Sequence, residues 1–321
     1  MEKIYNKKKT ISKGEFLKKS KEINPLLKKI QKNINVDAGY GSFFITSTNF
    51  KLFNREWVPK NITPSSKVII CIHGMHSHGE KFVLLADKFV NFNWVTIAVD
   101  LRGHGLSWDK FEERGDIENY SLWISDLKEF FKYISEKYKN LPLHIISESM
   151  GSAISILVAI KNPSLLKSLI LLSPALKPWA VTEISLIQKA FTYGLIGGAE
   201  KQIILNKAKG RFSTNSEEYI QYQLNDPFRL DKVSPRYYFQ IIKMIHQLKA
   251  LDFNNFYPTL IFFGGSDHII DFTGLKELIY RLKIRDKGLH YIPKASHELL
   301  TDHQAIKYNL YKKIISWIQM H

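Results

Sequence analysis

"LPLHIISESMGSAISI" (residues 141–156) runs from an apolar, strand-like stretch straight into an apolar, helix-like one, with Ser147, Ser149, Gly151 and Ser152 crowded into the junction. A strand that turns sharply into a helix must keep side chains from colliding at the turn. Small residues therefore flank the central one. Ser147 and Gly151 stand two before and two after Ser149, which is the small-x-Ser-x-Gly pattern of a nucleophile elbow, with Ser147 where the commoner form has glycine. Such an elbow exposes the Ser149 hydroxyl above a sheet. It also aims the Met150 backbone N–H, at the positive end of the helix, toward whatever the serine attacks.

Outward from this junction the chain alternates apolar strands with helix-length segments. "KVIICIH" (67–73) precedes a helix near 80–92, and "VTIAVD" (95–100) precedes one near 119–139. "LHIISE" (143–148) leads into 150–161, "LKSLILLS" (166–173) follows, "TLIFFGG" (259–265) precedes 273–284, and "LHYIP" (289–293) precedes 303–319. Continuous apolar strands of this kind predict an α/β fold, a mostly parallel sheet of about eight strands covered by helices on both faces. "SFFIT" and "FKLFNREWV", joined by a tight turn at Thr46–Asn49, predict an antiparallel edge hairpin. Residues 176–240 interrupt the alternation with "PWAVTEISLIQKAFTYGLIGGAE" and a polar, tyrosine-rich helical stretch. That is too long for a loop in a compact domain, and it predicts a helical cap, or lid, inserted after the sixth strand. The expected organisation is a basic arm (1–35), a core (36–175 and 241–321) and the cap (176–240).

A serine becomes a nucleophile only when a base takes its proton, and the base needs an orienting acid. Asp267 follows "TLIFFGGSD" and His297 follows "LHYIPKASH", both just past strand ends, in the chain order Ser149, Asp267, His297. The competing residues are His268, next to Asp267 and aimed elsewhere, and His303 at the start of the last helix. Asp271 is a competing acid further from its strand. "CIHGMHSHGE" supplies a second oxyanion donor, because His73 and Gly74 leave the strand ending at Ile72 and bring the Met75 N–H into place. His73, His76 and His78 also invite a zinc reading, but no cysteine or further histidine cluster completes such a site. The predicted cofactor and metal content is none.

The chain has 321 residues, 45% of them hydrophobic, enough for one large core. The single cysteine, Cys71, precludes an internal disulfide framework and reads as a buried thiol. No run of 18 apolar residues and no N-terminal apolar h-region are present, so the expected location is the cytoplasm. Half of the formal charge of +16 sits in residues 1–35, where eleven lysines face three glutamates. No helix-turn-helix, zinc-finger or RNP-like pattern accompanies that charge, which argues against a nucleic-acid partner. Within the arm, Asn24 caps and Pro25 opens a short amphipathic helix with Ile23, Leu26, Leu27, Ile30 and Ile34 on one face. Packing on the protein's own body is the first reading of that face, and peripheral contact with a membrane surface the second.

These residues resemble the α/β-hydrolase superfamily, and within it the monoacylglycerol lipase and lysophospholipase-like (serine aminopeptidase S33-type) group. The matching pieces are "IHGMHSH", "VDLRGHGLS", "SESMGSAI", "LLSPAL", "NDPF", "FFGGSDHI" and "YIPKASHELL", in the group's order from about residue 40 to the C-terminus. The resemblance implies nucleophile Ser149, acid Asp267, base His297 and oxyanion donors Met75 and Met150. It implies structural roles for His73, Gly74, Ser147 and Gly151, and a packing role for His104 of "RGHG". It further implies a lid lining an acyl-chain pocket. Two departures stand out: Ser147 replaces a glycine or alanine, and Glu148 sits where the group usually has histidine. The expected function is hydrolysis of carboxylic esters of single-chain lipids, monoacylglycerol or lysophospholipid, through an acyl-enzyme. A thioesterase or acyltransferase on the same triad is the nearest enzymatic alternative. A lipid-binding or membrane-associated protein using the apolar pocket is the non-enzymatic one.

Overall fold

The computed structural model describes residues 24–31, 34–110, 113–162, 164–177, 203–204, 213–251, 257–281 and 286–321. An eight-stranded sheet organises them. Its strands are β1 (Tyr40–Ile45), β2 (Lys51–Trp57), β3 (Val68–Ile72), β4 (Val95–Val99), β5 (Leu143–Glu148) and β6 (Ser168–Leu172), joined by β9 (Thr259–Gly264) and β10 (Lys287–Ile292). They lie in the order β1-β2-β4-β3-β5-β6-β9-β10. β1 and β2 form the predicted hairpin, β2 pairs antiparallel with β4, and every other pairing is parallel. Two short strands, β7 (Ile203–Ile204) and β8 (Lys232–Val233), pair separately.

Every residue of β3, β4, β5, β6 and β9 is buried, which is why these strands read as unbroken apolar runs. β10 lies at the edge and alternates in exposure. One face of the sheet packs on α3 (Ser121–Lys137), α4 (Met150–Ile160), α6 (Pro235–Ala250) and α7 (Phe272–Arg281), with Trp123, Phe130, Ile154 and Met244 in that layer. The other face packs on α1 (Pro25–Ile30), α2 (Val83–Phe89), α5 (Glu217–Asn225), α8 (His303–Lys307) and α9 (Leu310–Met320), through Leu27, Phe82, Phe89, Tyr219 and Ile314.

Several elements differ in detail from the sequence expectation. The segment expected as one helix near 80–92 is α2 flanked by 3-10 turns at Gly79–Phe82 and Val90–Phe92. The helix expected at 303–319 is two, because Asn309 adopts a left-handed conformation (φ 62°) between α8 and α9. α6 begins inside the expected cap and continues past residue 240 into the core.

The described part of the segment expected as a cap is stitched to the sheet's loops. Glu298 donates its N–H to the Ser213 carbonyl (2.8 Å), Leu230 N–H reaches the His76 carbonyl (3.2 Å), and Ser234 N–H reaches the Gly115 carbonyl (2.8 Å). Arg114 Nη2 donates to the Phe228 carbonyl at 2.6 Å. The apolar residues expected to line a lid (Trp179, Ile184, Leu186, Ile187, Phe191, Leu195 and Ile196) lie outside the described residues. So does residue Ile23 of the basic arm.

The arm's described helix docks on the body. Asn24 Oδ1 caps the Leu26 N–H at 3.0 Å, and Leu27 is fully buried. Glu80 accepts the Asn24 N–H (3.1 Å), and Asp87 accepts Gln31 Nε2 and the Asn35 N–H, both at 2.6 Å. Among the described residues, no helix is long and apolar enough to cross a membrane.

Candidate active site

Ser149 sits between β5 and α4 at φ 50°, ψ −120°, a conformation that non-glycine residues rarely adopt and that costs about 1–3 kcal/mol. Its surroundings over-determine it. Ser149 N–H donates to the Leu172 carbonyl at 2.9 Å, and the Ser149 carbonyl accepts from Ser152 (3.0 Å) and Ala175 (3.1 Å). Gly151 lets the start of α4 press on the end of β3, since a Cβ there would fall against the carbonyl oxygens of His73 and of Ile72 (2.7 Å). Ser152 Oγ donates to the Ser147 carbonyl at 2.9 Å, bracing the turn from the helix side. The Ser147 hydroxyl is buried and has no hydrogen-bond partner among the described residues, so smallness is what the fold uses at that position.

The loop after β3 passes directly over the elbow. A Cβ on Gly74 would come 3.1 Å from Ser149 Cβ and 3.7 Å from its Oγ. His73 holds this loop from beneath. Leu101 N–H donates to His73 Nε2 (3.0 Å), so Nδ1 carries the proton of the neutral ring and donates to the Gly74 carbonyl (2.7 Å). Burial, with His104 nearby, keeps the His73 imidazole well below its ordinary pKa. Among the described residues no acceptor takes the N–H of Met75 or of Met150, the two groups expected as oxyanion donors.

Beyond β9, Asp267 is buried and accepts on Oδ1 from the N–H groups of Ile269 (2.8 Å) and Ile270 (3.0 Å). Its Oδ2 meets His297 Nδ1 at 2.7 Å. A carboxylate only accepts, so Nδ1 bears the proton and the neutral ring keeps Nε2 as its free base. Burial alone lowers the basicity of His297. The Asp267 charge and hydrogen bond, with Glu298 and Glu148, outweigh it and raise the pKa above the ordinary value. The loop is pinned by Ser173 Oγ, which donates to the His297 carbonyl at 2.9 Å, and by the Ser296 N–H donating to Asp302 at 2.9 Å.

The competing residues go elsewhere. His268 is exposed, and His303 faces Glu218 at 3.8 Å from the surface. Asp271 caps the Thr273 N–H (2.8 Å) and pairs with Lys177 (3.1 Å). The three histidines considered for zinc have separate partners: His76 Nδ1 donates to the Leu230 carbonyl (3.0 Å), and His78 Nε2 to Asp226 (2.8 Å). His104 packs against Trp123 and Tyr237, with its Nδ1 donating to the Arg102 carbonyl at 3.0 Å. Burial pushes it down to about 4, so it is neutral in the working range.

Sequence reading flagged Glu148 but missed what it pairs with. The buried Lys81 ammonium lies between the Glu148 carboxylate and Glu298 Oε2, the latter at 2.8 Å. An acid at the buried end of a strand was the available signal, since it demands a cation nearby.

Comparison with known proteins places the chain in a family. The profile of the family described as serine aminopeptidase, S33 matches residues 63–304. The chain is 23% identical to a monoglyceride lipase homolog of Monkeypox virus over 84% of this chain and 95% of that one. It is also 23% identical to the monoglyceride lipase of Mus musculus, over 83% of this chain and 86% of that one. The fold superposes on the crystal structure of a soluble variant of monoglyceride lipase from Saccharomyces cerevisiae with a TM-score of 0.78, at 19% identity, covering 89% of this chain and 97% of that one. With the profile spanning three quarters of its length, an eight-stranded sheet of this order, and a serine elbow beneath a glycine loop, the chain belongs to the serine aminopeptidase S33 family of α/β-hydrolases.

Proposed function

We propose that this protein is a serine hydrolase that cleaves the carboxylic esters of single-chain lipids, monoacylglycerols or lysophospholipids, through an acyl-enzyme. The observation that carries the reading is the buried His297 Nδ1–Asp267 Oδ2 hydrogen bond of 2.7 Å, in the same molecule as a serine held in a strained elbow. Ser149 Oγ attacks the ester carbonyl while its proton passes to His297 Nε2, and Asp267 stabilises the imidazolium. The N–H groups of Met75 and Met150 hold the oxyanion of the tetrahedral intermediate. Collapse expels the alcohol, which takes the proton from His297. A water molecule deprotonated by His297 then attacks the acyl-enzyme, the second tetrahedral intermediate expels the Ser149 oxygen, which takes the proton back from His297, and the fatty acid leaves. The likeness to monoglyceride lipases supports the substrate class, and the chain covers 86% or more of the two such relatives compared by sequence.

The test is covalent labelling with a fluorophosphonate, followed by kinetics on glycerol esters, lysophospholipids, acyl-CoA thioesters and an aminoacyl anilide. The expected result is a label on Ser149 and the highest kcat/KM on long-chain monoacyl esters. A label elsewhere, or turnover of the anilide or thioester in preference to esters, would overturn the reading.

A further inference from the structure

Lys81, in the turn after the oxyanion-donor loop, has a side chain 2% exposed. Its ammonium contacts Glu148, the residue immediately before Ser149, and Glu298, the residue immediately after His297, and it lies 5.9 Å from the centre of the Tyr219 ring. Tyr219 Oη also donates to Glu298 Oε2 at 3.4 Å. One cation thus joins three separate segments: the donor-loop turn, the elbow and the base loop. Stability offers no reason for such a cluster. A buried ion pair is commonly no more stabilising than well-packed apolar residues of the same volume, and here two carboxylates share one ammonium.

We propose that the Glu148–Lys81–Glu298 bridge is a positioning device for the base, fixing the elbow, the donor turn and the base loop to one another and holding net negative charge beside the His297 imidazole. This rests on the reading of Ser149 and His297 given above. When His297 takes the serine proton the ring becomes a cation, and a bridge with both carboxylates ionised carries one excess negative charge. The charged groups acting on His297 are Asp267 from beyond β9, Glu298 from its own loop and Glu148 from the end of β5. Lys81, Tyr219 and Tyr311 surround Glu148, Cys71 lies within reach of its charge, and Arg229 acts on Glu298. Burial, opposed by Lys81, moves Glu148 up to about 6, while Lys81 and His297 hold Glu298 below its ordinary value against burial. With Glu148 raised and Glu298 lowered, the bridge loses its excess negative charge through Glu148 first as pH falls.

The sign of the expected effect follows. The neighbouring carboxylates raise the proton affinity of His297, so removing one lowers it. Glu148→Gln keeps the side chain's size and removes its charge. Titration of the His297 imidazole by NMR should show a pKa lower by roughly half a unit or more, and the acid limb of kcat/KM on a soluble short-chain ester should move to lower pH by the same amount. The plateau should fall about threefold to tenfold, because the imidazolium loses a stabilising neighbour. Glu298→Gln, which leaves the Glu148–Lys81 pair in place, should shift both readouts in the same direction and serves if Glu148→Gln does not accumulate. An unmoved His297 titration and acid limb in a folded variant, whatever its melting temperature, overturns the proposal by reducing the bridge to packing. The two readings fail separately. A wild-type protein that hydrolyses no ester and takes no fluorophosphonate at Ser149 sinks the catalytic assignment, while the NMR titration still decides the bridge's effect on His297.

Discussion

Asp267→Asn should remove nearly all turnover while leaving the protein folded, and the hydrogen bonds at Asp267 say why. The Ile269 and Ile270 N–H groups, at 2.8 and 3.0 Å, both need an acceptor at the Oδ1 position. The asparagine carbonyl must therefore stay there, which puts its NH2 group where Oδ2 now faces His297 Nδ1 at 2.7 Å. A donor opposite Nδ1 makes that nitrogen the acceptor and moves the ring proton to Nε2, which can then no longer take the proton of Ser149. Precedent for this tautomer change is a loss of about 10⁴ in turnover. That corresponds to roughly 5 kcal/mol of barrier at 1.36 kcal/mol per tenfold. Stability should fall far less, by about 1–3 kcal/mol, because the asparagine carbonyl keeps the Ile269 and Ile270 N–H groups satisfied while the charge-assisted bond to the ring is lost. The control is Asp271→Asn, which keeps the Thr273 N–H acceptor through its amide carbonyl, gives up only the charge of a partly exposed pair with Lys177, and should cost about 1 kcal/mol or less. The assay is kcat on a p-nitrophenyl butyrate substrate, with thermal melts of all three proteins. Equal losses from the two variants, or an Asp267→Asn enzyme within tenfold of wild type, would refute the reasoning.

Ser149→Ala should lower turnover on the order of a thousandfold or more and abolish fluorophosphonate labelling, read by mass spectrometry of the labelled peptide. Ser147→Ala removes a buried hydroxyl that has no partner among the described residues, so its activity should be unchanged and its melting temperature equal to or above wild type. Gly151→Ala drives a Cβ into the carbonyls of His73 and Ile72, and calorimetry should record a loss of about 1–3 kcal/mol together with reduced kcat from a displaced donor loop. Leu27→Ala, at a fully buried position of α1, should cost about 2–5 kcal/mol in urea melts, whereas a helix lying on a membrane surface would show no such loss in solution.

The sheet was legible because burial on both faces leaves no room for polar alternation, and β3, β5, β6 and β9 are each read directly from the chain as apolar runs. The elbow was legible for a steric reason, since Gly151 faces backbone oxygen that tolerates no side chain. What escaped depends on partners distant in the chain. Lys81 in "GEKFVLL" reads as an ordinary solvated lysine until Glu148 and Glu298 are brought to it. His78 gives no hint of Asp226, nor His76 of the Leu230 carbonyl. The break in the last helix rests on Asn309 alone, whose left-handed backbone interrupts an amphipathic pattern that itself continues.

The position of α1 bears on the order in which this protein assembles. The helix precedes every other described element in the chain, yet it lies against α5, from which residues 31–216 separate it, and against the Glu80 turn and Asp87. During synthesis it has nothing to dock on until the sheet and α5 have left the ribosome, so it must wait undocked and then close the structure from outside. Six residues are too few to hold a helix without tertiary support. α1 should therefore be the last part of the described body to become protected from hydrogen exchange on refolding, and the first to give that protection up.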